Sequence, residues 1–160
     1  MQSYAGRAER GRIVVGTDGS PASLVAVRWA VEAAEQTGAW LDVVLVRLPG
    51  GETSALADHV LLADLVALVR EPFPEMVRTF VIEGDPAACL TAHAHGADVL
   101  VLADRGAGGF LGLRLGSVAS ACTVAATCPV LIVPADRRRF PDAELPDAAP
   151  AAAVAFGEEY

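Results

Sequence analysis

Arg12-Ile-Val-Val-Gly-Thr-Asp18-Gly-Ser20-Pro21 is the stretch on which the reading of the fold turns. Arg12 to Gly16 carries the β-branched run typical of a strand. Thr17-Asp18-Gly19 turns the chain. Ser20 offers an N-cap side chain, and Pro21 suits the first helical position. Beyond it Leu24, Val27, Val31 and Ala34 recur at helical spacing, with Arg28, Glu32 and Glu35 on another face. Gly38 ends that helix. A strand leading straight into a helix is the first half of a βαβ unit.

Outward from this unit the alternation repeats. Leu41 to Arg47 predicts a second strand, closed by Pro49-Gly50-Gly51. Residues 53–69 predict a helix with Leu61, Leu65 and Leu68 on one stripe, ended by Pro72 and Pro74. Met76 to Glu83 predicts the third strand. Asp85 caps and Pro86 opens a helix running to Ala94, and Gly96 closes it. Val99-Leu-Val-Leu-Ala103 is apolar throughout, as a strand buried on both faces should be. A glycine-rich loop over 106–116 leads to a helix from Ser117 to Ala126. Pro129 then introduces a fifth strand, Val130-Leu-Ile-Val133. Strict alternation of this kind predicts an α/β fold: a doubly wound, five-stranded parallel sheet with helices on both faces. Residues 1–11 read as a flexible lead-in, 12–134 as one domain, and 135–160 as a mostly disordered tail of Ala, Pro and acidic residues.

Composition narrows the function. The 160 residues carry a formal net charge of -8. Such a surface is repelled by nucleic-acid backbones and anionic lipid, so neither is an expected partner. All twelve cations are Arg. Without Lys, a P-loop and a Schiff-base mechanism are excluded. Cys89, Cys122 and Cys128 have no disulfide or zinc spacing and read as reduced, small apolar residues. His93 and His95 are two apart and would point to different faces of a helix, so no metal pair is expected. No apolar leader and no span of membrane length is visible, and the expected location is the cytoplasm.

With strand order 3-2-1-4-5, the point where the order reverses lies between strands one and four, and ligands of open α/β sheets bind there. The loops leaving those strands are Thr17 to Ser20 and Asp104 to Gly116. The second holds five glycines in eleven residues, 106–116, and ends at the start of a helix. Glycines admit close backbone approach to an anion, and a helix start favours phosphate. Arg105 and Arg114 add positive charge. The loop does not match the Rossmann fingerprint, because the third glycine position counted from Gly106 is Leu111. Asp18 admits two roles, a cap of its own turn or a contact to ribose or adenine.

These segments resemble those of the universal stress protein family from Arg12 to Val133. The loop is similar to the family pattern of Gly, two residues, Gly, nine residues, then Gly with Ser or Thr: here Gly106, nine residues, then Gly116-Ser117. Val14-Val-Gly-Thr-Asp18-Gly-Ser20, Val81-Ile-Glu-Gly84-Asp-Pro86 and Cys128-Pro-Val-Leu-Ile-Val133 resemble family segments too. The resemblance implies an adenine nucleotide alpha hydrolase-like fold and ATP, with Mg, as ligand. It implies Thr17 and Asp18 at ribose and adenine, and Val46 lining the adenine pocket. Ala103, Arg105, Gly106, Gly116, Ser117 and Val118 would hold phosphates and ribose. It also implies a homodimer, and Val130 to Val133 would be its edge strand.

The pattern departs from the family at two positions. Ala103 stands where the first glycine is expected, which would cost about 1 kcal/mol if that residue needed a positive φ. Asp104, in place of Ser or Thr, would put a negative charge near a polyphosphate. The residues leave two functions open: a stress-response regulator that binds an adenine nucleotide, or a nucleotide-free homodimeric interaction protein of the same fold. No Ser-His-Asp set or metal spacing supports an enzyme.

Overall fold

The computed structural model describes residues 10–51, 55–69, 75–105 and 115–135. Gly106 and Arg114, the lead-in over 1–9 and the tail over 136–160 lie outside the described residues. The elements run β1 (Arg12–Thr17), α1 (Pro21–Thr37), β2 (Trp40–Arg47), α2 (Ala55–Val69), β3 (Val77–Glu83), α3 (Pro86–His93), β4 (Val99–Ala103), α4 (Ser117–Ala125) and β5 (Val130–Val133). All five strands are parallel and the order is β3-β2-β1-β4-β5, as expected.

Local chemistry sets the helix ends. The Ser20 hydroxyl accepts from the Ser23 amide at 3.2 Å, and Pro21 follows in the first turn. Gly38, at φ 69, adopts the left-handed conformation and donates to the Ala34 carbonyl. Asp85 caps α3 through the Ala88 amide at 2.7 Å.

Side chains alternate across the sheet and build two cores. Ile13, Val15, Leu41, Val43, Leu45 and Val101 face α1 and α2. Val14, Val44, Val46, Leu100 and Leu102 face α3 and α4. The central strands are therefore apolar on both sides. The buried charge among them is Asp42, which is 1% exposed near the start of β2.

Helix α2 departs from the expected stripe. Leu62 and Leu65 are buried and Leu61 is half-buried, while the Leu68 side chain lies outside the described residues. Leu56 and Val60 are exposed. The polar residues Asp58, His59 and Asp64 are spread around the helix, and Asp58 is itself buried, so the sequence has no single polar face from which to phase the buried one.

Candidate functional site

Strands β1 and β4 are neighbours in the sheet, and their registered pairs run from Ile13–Val99 to Val15–Val101. Thr17 and Ala103 each lie two residues beyond the last pair. The chain leaves β1 toward β2 on one side and leaves β4 toward β5 on the other. Their carboxyl ends are therefore where such a reversal is expected to place a crevice.

The turn after β1 is held by its own side chains. The Thr17 hydroxyl lies 2.9 Å from the Ser23 hydroxyl and accepts from the Gly19 amide at 3.2 Å. Asp18 Oδ1 accepts from the Ser20 amide at 2.9 Å. The capping role weighed for Asp18 is thus present, through one oxygen. Gly19, at φ 77, needs glycine's freedom, and a Cβ there would lie 3.2 Å from Leu61 of α2. Helix α2 consequently borders the turn.

Val46 is 1% exposed and packs on the face covered by α3 and α4. The next residue, Arg47, was not singled out by the sequence. Its Nε lies 2.8 Å from Asp58 Oδ2 in α2, and both side chains are largely buried. That oxygen accepts no hydrogen bond, so the contact is an ion pair without N–H alignment. The Arg47 carbonyl accepts from Gly84 at 2.8 Å, which joins β2 to the turn before α3. Only the proximity of Arg47 to Val46 could have pointed to it.

On the β4 side, no non-glycine residue among those described has positive φ, so Ala103 carries none of the backbone cost considered for it. Ala103 simply ends β4 and packs against the α1 and α2 core. Asp104 sits at a junction. Its amide donates to the Val133 carbonyl at 3.0 Å, and its carbonyl accepts from Gly116 at 2.7 Å. Its Oδ1 accepts from the Ala135 amide at 3.1 Å, and Oδ2 lies 3.9 Å from Arg105 Nε. Gly116 caps α4 at φ -68 and ψ 164 without a side-chain hydrogen bond. Ser117 is exposed and Val118 is half-buried. The structure thus brings Asp104, Arg105 and Gly116 together at the carboxyl end of β4, next to the exit of β5.

One other group bears on chemistry. Cys122 is buried, and burial, followed by the nearby Asp85 and Cys128, pushes its thiol up to about 11. A thiol so held is a poor nucleophile at neutral pH. Among the described residues no group of three His, Cys, Asp or Glu could hold a metal, and no helix is long and apolar enough to cross a membrane.

Residues 9–134 match the model of the universal stress protein family. The chain belongs to the universal stress protein family. One universal stress protein of Mycobacterium tuberculosis is 35% identical over 130 residues, which are 75% of this chain and 44% of that protein. The chain therefore spans less than half the length of such curated relatives. A solved universal stress protein in complex with cAMP shares 28% identity and a TM-score of 0.66, covering 79% of this chain and 98% of that one. A universal stress protein from Archaeoglobus fulgidus in complex with dAMP, 23% identical with a TM-score of 0.60, covers 76% of this chain and 96% of its own and shares the fold. In this universal stress protein the segment Val14 to Ser20 spans β1 and the turn after it, Val81 to Pro86 the end of β3 and the start of α3, and Cys128 to Val133 leads into and along β5, while residues 106–114 of the glycine loop lie outside the described residues.

Proposed function

We propose that this universal stress protein binds an adenine nucleotide at the carboxyl ends of β1 and β4 and serves as a cytoplasmic stress-response regulator rather than an enzyme. One observation carries the reading most directly. Helix α4 begins close to the carboxyl end of β4 with a glycine cap, which has no side chain to bond the first amides. Those amides and the helix dipole favour a phosphate. Gly116 has dihedrals open to any residue, so its backbone conformation does not demand glycine; close approach of a ligand would. The cAMP carried by the 28% identical structure supports the ligand class.

In this reading residues 12–134 form the binding domain. Ser117, Val118 and Arg105 meet phosphate and ribose, together with Gly106 and with Ala103 at the end of β4. Thr17 and Asp18 meet ribose and adenine, and Val46 backs the base. Thr17 and Val46 are each 1% exposed, so a nucleotide would meet them only at the floor of its site. ATP with Mg is the ligand the family resemblance implies.

Calorimetric titration tests the reading. Wild type is expected to bind ATP or AMP. Gly116→Val should abolish binding while leaving the circular dichroism spectrum and thermal midpoint near wild type. Absence of binding to either nucleotide at millimolar concentration, with and without magnesium, overturns it.

A homodimer through β5 belongs to the same proposal. β5 lies at one edge of the sheet. Its Val130, Leu131 and Ile132 are only half-buried, and Val124 of α4 is 89% exposed. An uncovered apolar edge invites pairing, and a two-fold copy would satisfy its free amides and carbonyls. Light scattering across a dilution series should give a dimer mass for wild type and a monomer for Ile132→Lys. A monomeric wild type, or a dimer insensitive to both Ile132→Lys and Leu131→Lys, overturns this part.

A further inference from the structure

We propose that the Arg47–Asp58 ion pair is a positioning pair for the adenosine end of the ligand, seating α2 against the turn that carries Asp18; this rests on the adenine-nucleotide reading above. Arg47 ends β2, directly after Val46. Its backbone is pinned, since it registers with Glu83 of β3 and its carbonyl accepts from the Gly84 amide at 2.8 Å. From that fixed point Nη2 donates to the Gly51 carbonyl at 3.4 Å, and Nε lies 2.8 Å from Asp58 Oδ2. The Arg47 and Asp58 side chains are 15% and 2% exposed.

Stability alone does not call for this pair. Asp58 Oδ2 accepts no hydrogen bond, and apolar side chains often replace a buried ion pair without loss. What the pair supplies is a choice of face and register. On α2, Leu56 and Val60 are exposed while Asp58 is buried, the reverse of their hydrophobicity. Asp58 shares its side of the helix with Leu61, Leu62 and Leu65. An apolar seam alone tolerates small rotations and slips, whereas a buried charge that must meet Arg47 allows one seat. That seat brings Leu61 Cδ2 to 3.2 Å from the point a Cβ would occupy on Gly19. Gly19 belongs to the turn in which the Thr17 and Asp18 side chains hold the Gly19 and Ser20 amides. One helix thus links the two segments that meet base and ribose in this reading, the end of β2 and the turn after β1.

Calorimetry compares adenosine, AMP and ATP on wild type, on Asp58→Asn and on the apolar pair Arg47→Met with Asp58→Leu. Both variants are expected to weaken all three ligands by the same factor, about tenfold, because the adenosine end is common to them. The apolar pair should keep its thermal midpoint within about 4 °C of wild type, so that its lost affinity is not a lost fold. Either variant suffices if the other does not fold. Asp42→Ala is the converse control: it lies near the amino end of β2, lowers stability, and should leave all three constants unchanged. In the free proteins, amide exchange at Gly19 and Ser20 should quicken in the two α2 variants relative to wild type. Unchanged constants in the variants, a loss that grows with the number of phosphates, or an equal loss in Asp42→Ala overturns the inference and leaves adenine-nucleotide binding standing. If wild type binds none of the three ligands, the functional reading itself falls, and the role of the pair with it.

Discussion

Asp42→Ala is expected to lower the unfolding free energy by about 3 kcal/mol. Asp42 is 1% exposed near the start of β2, and three groups converge on it from other elements. Arg78 Nε of β3 donates to Oδ1 at 2.7 Å. Arg12 Nη1 of β1 lies 3.3 Å from Oδ2, and His93 Nε2 of α3 lies 3.1 Å from it. Removing the carboxylate leaves two guanidinium groups without their shared counter-ion. The loss falls at the low end for a broken buried pair, for two reasons. The Arg12 and Arg78 side chains are 26% and 44% exposed, and water screens them in part. Arg12 also keeps the His93 and His95 carbonyls, and Arg78 keeps the Trp40 ring at 5.2 Å. Asp42→Asn retains an acceptor and should lose about half as much. Urea unfolding with a constant slope measures both variants. A loss below about 1 kcal/mol for the alanine variant would show that the network is decorative.

Leu90→Ala should cost about 3 kcal/mol as well, by a different route. Leu90 is 1% exposed in the core between the sheet and α3. Both of its δ carbons lie 3.1 Å from the point a Cβ would occupy on Gly16, and Leu102 Cδ2 lies 2.8 Å from that point. The absence of a side chain at Gly16 is what lets α3 seat on the central strand. Gly16→Ala alone should cost about 1–2 kcal/mol through overpacking. In the Leu90→Ala background the new methyl enters vacated space, so the two changes together should be less damaging than their sum by about 1 kcal/mol. Strict additivity in the double-mutant cycle would mean that these positions do not share a packing site.

Much of the architecture was legible because the signals are local. Ser20-Pro21 and Asp85-Pro86 mark helix starts within two residues. Val99 to Ala103 advertises a doubly covered strand by having no polar residue. Once the strands were counted, the position of the switch point and of its two loops followed. What was not legible depends on distance or contrast. Asp42 reads as an ordinary residue in Leu41-Asp-Val-Val, because its partners Arg12, Arg78 and His93 lie 30, 36 and 51 residues away. Arg47 and Asp58 likewise meet only in space. The buried face of α2 could not be phased without a polar side to set against it. At the site, Ala103 was weighed for a backbone strain that it does not bear, since the positive φ it was tested for never arises. Asp104 drew notice for the repulsion it would exert. Its bond to Ala135 could not be foreseen from spacing, because it joins the ends of two strands across 31 residues.

The hold of Arg12 on the carbonyls of His93 and His95 has a consequence for how the chain comes into being. Of the five described strands, the one made first, β1, is the middle strand of the sheet. It gains β2 early, but its other flank stays bare until residues 99–101 have been made. Arg12 itself waits for partners 81 and 83 residues downstream. During synthesis, Ile13 to Val15 therefore form a half-covered apolar ribbon with an open edge, the kind of surface that holdase chaperones recognise and that pairs wrongly at high concentration. Pairings this distant also slow folding, since the loop must close before the contact forms. Each round of translation renews that exposure.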